Sequence, residues 1–143
     1  MADLPGMQGV EAHRKRLRKI RGPAMVRAVT AEVFGAAKDI ANDAALSITR
    51  GATSGKNHEA SPAGEPPNAD THGLDRSVDA AVTGPLKAEA SADAPYAAAQ
   101  EFGSDKLGLP ERPYMRPAAA RGRPGALRRI VDAVNRVVAG SGA

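Results

Sequence analysis

The chain has 143 residues and a formal net charge of +4, enough length for one ordinary domain and too little charge imbalance to keep it unfolded by self-repulsion. Leu, Ile, Val and Phe together supply only 24 residues and there is no Trp, which predicts a thin core and a subunit that needs neighbours to bury enough surface. With no Cys, disulfides and thiolate metal sites are excluded; no basic-then-apolar leader and no run of membrane-spanning length is read, so the expectation is a protein made in the producer cell's cytoplasm, with no membrane partner.

Val10 to Arg21 reads as a helix whose few apolar contacts are Val10, Leu17 and Ile20. Gly22-Pro23 separates it from a longer helix to about Ile48, in which Val26, Val29, Val33, Ile40 and Ala44 recur at helical spacing, with Pro23 suited to the first turn. Gly51 to Gly73 is rich in Gly, Pro, Ser, Asn and Asp and reads as a loop, long enough that neighbouring chains are expected to hold it. The period then changes to two. Leu74 to Val82 and Leu86 to Ser91 predict a hairpin around the turn Thr83-Gly84-Pro85, with Leu86, Ala88 and Ala90 sharing one face. Asp93 to Gly103 predicts a short helix, Ser104 to Pro113 a second loop, Glu111 to Pro117 an extended piece because residues before proline avoid the helical region, and Pro124 to Val138 a last helix closed by Gly140-Ser141-Gly142. The fold class is therefore α+β: a long N-terminal helix, a hairpin-based small antiparallel sheet, a short helix and a C-terminal helix. Residues 1–143 read as one domain, divided into a basic segment 1–22, the extended loop 51–73 and a hairpin and C-terminal helix region 74–138.

Charge is unevenly spread along the chain. Residues 1–50 hold nine Lys/Arg against five Asp/Glu, residues 51–111 four against ten, and residues 112–143 seven against one. If the middle segment occupies its own face, each subunit carries an acidic and a basic surface, which favours head-to-tail contacts that close into rings.

Tests for chemistry mostly fail. Gly51 to Asn57, "GATSGKN", has three residues between its glycines and Asn after the Lys, whereas a phosphate loop needs four and a Ser or Thr. His58, Glu59, Asp70 and His72 lie in a proline-broken loop without ligand spacing, so no metal and no cofactor is expected. No nucleophile, base and orienting acid assemble from the scattered serines and three histidines, and Asp79 and Glu89, expected to face each other across the hairpin, suit a wet face; no catalytic residue is assigned and a non-enzyme is expected. Arg14, Lys15, Arg16, Arg18 and Lys19 form the strongest electrostatic feature, suited to phosphates or to an acidic partner. No aromatic residue is interleaved for base stacking, which favours a solvated face, or one docked on an acidic partner, over a small basic nucleic-acid-binding protein.

Three short segments together resemble a known family. "GEPPNADTHGLDRSV" (64–78), "PYAAAQEFGS" (95–104) and "RPYMRPA" (112–118) resemble, in order and interval, the Pro-Pro/Asp-Thr-Gly, Tyr-Ala/Glu-Phe-Gly and Arg-Pro-aromatic/Arg-Pro-Ala segments of the long-tailed phage neck, head-to-tail joining or tail-completion proteins. The likeness extends from about Val10 to Val138. It departs at His72, which stands between Thr71 and Gly73, and at Ala120 to Gly125, which interrupts a usually more continuous last helix.

The resemblance implies a structural virion protein assembled in the host cytoplasm: a homo-oligomeric ring, hexameric or of similar symmetry, acting as head-tail connector or tail-completion subunit at the head-tail junction. A tail terminator capping the tail tube is the sibling reading. Neighbouring neck, connector and tail-tube proteins are its implied partners, with DNA passing through the channel without sequence specificity and no catalytic residues to carry over. On this reading Asp70 and Thr71 cap the turn into the first strand. Tyr96, Phe102 and Tyr114 are aromatic anchors, with ordinary core packing expected for Phe102. Glu101 pairs with Arg112 or Arg116, within the chain or across a subunit boundary.

Overall fold

The structure, a computed structural model, describes residues 9–140. Residues 1–8 of the basic segment, and the Ser141-Gly142 expected to close the last helix, lie outside them. The described chain is α+β, with five α-helices and one two-stranded antiparallel sheet. Helix α1 spans Val10–Ile20 and α2 spans Pro23–Thr49, with Pro23 in the first turn, where its missing N–H costs nothing. At 1.5 Å per residue α2 is about 40 Å long, and the hairpin and the C-terminal helix are laid along it.

Met25, Ala36, Ala37, Ala41, Ala44 and Ile48 are the buried residues of α2, mostly three or four apart, so the helix presents a stripe of small side chains. Small residues let two neighbours approach closely on different sides. On one side lies the hairpin, β1 (Val78–Gly84) and β2 (Lys87–Ala92), tied to α2 by Lys38 Nζ donating to Asp79 Oδ1 at 2.5 Å and by the Leu86 N–H donating to Thr30 Oγ1 at 3.0 Å. On the other lies α5 (Met115–Ala139), antiparallel to α2: Arg121 meets Asp43, Arg129 meets Glu32 and Asp39, and Arg136 meets Glu32.

The strand expected from Leu74 begins four residues later. Gly73–Ser77 is the short helix α3, because one helical turn places Leu74 in the core, and Ser77 Oγ donates back to the Leu74 carbonyl. Leu86 does not share a face with Ala88 and Ala90. It sits in the turn at φ 59°, with an irregular register between Val82 and Gly84. Asp79 and Glu89 do not face each other either, since Asp79 opposes Ser91 and Glu89 opposes Ala81. The short helix is α4, Ala97–Phe102, shorter than the expected Asp93 to Gly103.

The largest difference is at the C-terminal helix, expected from Pro124. It starts at Met115 and runs through Gly122 and Pro124, so Ala120 to Gly125 does not delay it, and the Tyr114-to-Pro117 piece is its first turn rather than extended chain. Pro117 lies in that first turn, where the N–H would be unpaired in any case, and exposed Pro124 forfeits one bond to an exposed carbonyl at Ala120.

The loop between α2 and α3 is held by its own chain, so neighbours are not needed to fix it. The Ala69 N–H donates to the Ile48 carbonyl (3.0 Å), the Gly64 N–H to Glu111 O (2.9 Å), Arg112 Nε to Ser61 O (2.9 Å) and Asn68 Nδ2 to Glu59 O (2.9 Å). Pro67 and Ala69 are buried. The thin core is real, and it sits at the C-terminal end of α2: Ala44, Ile48, Ala69, Leu74, Ala97, Tyr114 and Ala118.

Candidate functional site: a glutamate-capped corner and a basic helix

The three segments that carry the family resemblance converge on that core. The first contributes Ala69 and Leu74, the second Ala97, and the third Tyr114 and Ala118. Glu101 joins the second to the third. Its residue is 4% exposed, and its carboxylate takes the N–H groups at the start of α5: Oε2 accepts from Tyr114 (2.8 Å) and Met115 (2.9 Å), and Oε1 from Arg116 (3.0 Å). Those donors have no partners inside the helix, so a buried anion there supplies both the missing acceptors and a charge that suits the helix dipole. Arg116 completes the corner, with Nε donating to Oε1 at 2.8 Å and Nη2 to the Glu101 carbonyl at 2.7 Å. Burial pushes the Glu101 carboxyl up, but the N–H groups of Tyr114 and Met115 and the Arg116 guanidinium outweigh it and hold the group below its ordinary value.

Of the two partners expected for Glu101, the fold selects Arg116, within the chain. Arg112 is turned away: its N–H donates to Gln100 O at 2.7 Å and its side chain ties down Ser61. Gly103 explains why the third position of Glu-Phe-Gly is glycine. Its φ is 72°, and a Cβ there would lie 2.9 Å from both Glu111 N and Leu109 O, so only glycine lets the returning chain pass.

The three aromatic anchors behave differently. Tyr114 is 1% exposed, with its hydroxyl donating to the Ala97 carbonyl at 3.2 Å. Burial first, then the nearby Glu101 charge, push its pKa up to about 12. Phe102 is not a core residue. It is 64% exposed and stacks under Arg116, whose guanidinium carbon lies 5.0 Å from the ring centre. Tyr96 is 44% exposed and stands over Gly73, where a Cβ would come 2.6 Å from its hydroxyl.

Asp70 and Thr71 do not cap α3. Asp70 Oδ1 accepts from the Gly55 N–H at 3.1 Å, which closes the preceding loop, and Thr71 lines a cleft of about 310 Å³ with Asp70, His72, Tyr96 and Gln100. At the rim of that cleft the fold assembles a chain that the sequence reading missed: Ser54 Oγ lies 3.2 Å from His72 Nε2, and His72 Nδ1 lies 3.2 Å from Asp75 Oδ2. His72 and Asp75 stand three apart, but the strand expected from Leu74 hid the helical turn that joins them, and nothing local pointed to Ser54, eighteen residues upstream. This is the connectivity of a hydroxyl, a base and an orienting acid. However, Ser54 Oγ is also 3.3 Å from the Ala69 carbonyl and the neighbouring Gly55 N–H is spent on Asp70, so the arrangement pins the loop to α3 rather than presenting a nucleophile beside oxyanion donors. It also compensates His72, which holds φ 60° between Thr71 and Gly73. Among the described residues no group of three or more His, Asp or Glu is placed to hold a metal, and no helix is long and apolar enough to cross a membrane.

The basic residues expected to act on a partner are on α1, which buries none of its residues. Arg14 pairs with Glu11 at 3.2 Å, while Lys15, Arg16 and Arg18 are exposed. Lys19 lies near the end of α5, lining a groove with Gly22, Pro23, Arg136 and Val137.

What these features define is a small α+β domain organised around a capped corner and carrying a charged helix outside its core. No protein-family model, curated protein or solved structure matches the chain.

Proposed function

We propose that the chain is a structural subunit of a long-tailed phage, forming a ring at the head-tail junction as a connector or tail-completion protein and acting by assembly rather than chemistry. The observation that carries this reading is the convergence of the three resembling segments on one core, with Glu101 of the second capping the helix opened by the third. Residues that matter to one fold for one physical reason recur at fixed intervals, and here each has such a reason: Glu101 as cap, Gly103 as crossing point, Tyr114 as buried anchor.

The surface supports assembly as well. Phe102, Leu107, Val82, Leu86, Leu127 and Val131 are all about half exposed or more, a large apolar outlay for so small a core. Two strands alone leave one backbone edge of each unpaired, and such edges are ready to accept another chain. The test is mass measurement in solution together with electron microscopy of particles labelled on this chain. Closed rings and label at the neck are the expected results; a monomer at high concentration and label absent from particles would overturn the reading.

A further inference from the structure

We propose that α1 is a sequence-independent binding element for the phosphate backbone of double-stranded nucleic acid. The rest of the described chain carries no excess charge. Between residues 22 and 140 there are 14 Lys/Arg and 14 Asp/Glu, so that body is net neutral, and it is locally neutral where α5 meets α2, because Arg121, Arg129 and Arg136 sit on Asp43, Glu32 and Asp39. The acidic middle segment is likewise interleaved with Arg116, which pairs with Glu101 and Glu111. The excess positive charge of the described residues thus lies on α1 and Arg21, where Arg14 pairs with Glu11 and Lys15, Arg16, Arg18 and Arg21 are exposed.

This distribution decides between partners. A second copy of the chain offers no net acidic body for α1 to dock on, so the partner must bring its own dense negative charge. An anionic membrane is the poorer fit: the apolar side of α1 consists of Val10, Leu17 and Ile20, with no aromatic residue to insert. A duplex fits in linear density. The 11 residues of α1 span about 16 Å, over which a duplex carries about nine phosphates, against five exposed cations, Arg14, Lys15, Arg16, Arg18 and Arg21. On the helix Arg14, Arg18 and Arg21 share one face by their spacing of four and three, and Lys15 and Lys19 form the adjacent row. Arginine and lysine without interleaved aromatics or amides contact phosphates rather than base edges. The inference goes beyond the ring reading and does not depend on it, since a monomer would show the same affinity per site.

The test is fluorescence anisotropy of the full chain with two labelled 20-base-pair duplexes of unrelated sequence, from 50 to 200 mM salt. The expected result is equal affinity for both duplexes and a fall of roughly 100-fold over that range, the salt slope of about four neutralised phosphates. Substituting Arg14→Gln, Arg18→Gln and Arg21→Gln together should weaken binding at least about tenfold at 100 mM salt and reduce the slope by about 3, whereas Arg128→Gln, an exposed arginine on α5, should change the slope by about 1 or less. Circular dichroism and melting temperature of both variants should match the parent. Absence of binding at 50 mM salt, retention of full affinity by the triple variant, or equal affinity for poly-glutamate or for anionic vesicles would overturn the proposal. Mass measurement on the same samples reports ring formation separately, so either idea can fail without the other.

Discussion

A carboxylate removed from water is costly unless its lone pairs are filled, and Glu101 fills them with three consecutive backbone N–H groups and a guanidinium. Glu101→Gln keeps the shape but turns an amide N–H toward donors that need an acceptor, and should cost about 2–4 kcal/mol of stability at pH 7. The sign of its pH dependence follows from the lowered carboxyl: the stabilisation is fully present above the ordinary value of 4.5 and is lost as pH falls through the lower folded-state value. The melting-temperature gap between parent and Glu101→Gln should therefore narrow on acidification below about pH 4.5; a gap that stays constant down to pH 3 would show that the charge is irrelevant. Its neighbour Tyr114 gives an optical readout. In a Tyr96→Phe background, the tyrosinate absorbance of the folded protein should appear only near pH 12, and a midpoint near 10 would mean that the ring is not buried. Beyond Tyr114 as an anchor and the choice of Arg112 or Arg116 as partner, none of this was legible beforehand, because backbone donors leave no trace in residue identity.

At the scale of elements, the close approach of α5 to α2 rests on two glycines that differ in what a methyl group would meet. At Gly122 a Cβ would lie 2.5 Å from Ile40 Cγ1, the stiff inner part of a β-branched side chain. At Gly35 it would lie 2.6 Å from the Arg129 guanidinium, the tip of a long side chain that can swing aside. Alanine gains up to about 1 kcal/mol over glycine in a helix, so the clash must exceed that to matter. Gly122→Ala should destabilise by about 1–2 kcal/mol net, and Gly35→Ala should stay within about 0.5 kcal/mol of the parent, measured by denaturant unfolding. Equal effects at the two sites would mean that the helices separate rather than clash. The same pair of helices shows where sequence reasoning faltered: proline and glycine at 122–125 signalled a break, but packing of one face against α2 carries the helix through them. In contrast, α1, α2 and the hairpin's existence followed directly from periodicity.

For the whole molecule, the fold lays Arg121, Arg129 and Arg136 on carboxylates of α2 and Arg116 on Glu101 and Glu111, so part of the C-terminal excess of positive charge is met within the chain. The excess charge of the described residues lies on α1 and Arg21, and α1 contributes nothing to the core. Arg14→Gln with Arg18→Gln should accordingly leave the melting temperature within about 1 °C of the parent, since exposed substitutions away from packed or paired groups change stability little. A larger loss in a calorimetric scan would place α1 in the folding unit.

Composition, helical and strand periods, and the positions of Pro and Gly are local quantities. They determined by themselves that this chain is α+β, that its core is thin and that a long helix precedes a hairpin. The start of α5, the self-held loop, the exposure of Phe102, the Ser54–His72–Asp75 chain and the pairing of the α5 arginines with α2 were decided only in three dimensions. Each depends on which distant group supplies a hydrogen bond, a contact or a counter-charge, and no local window of the sequence contains both partners.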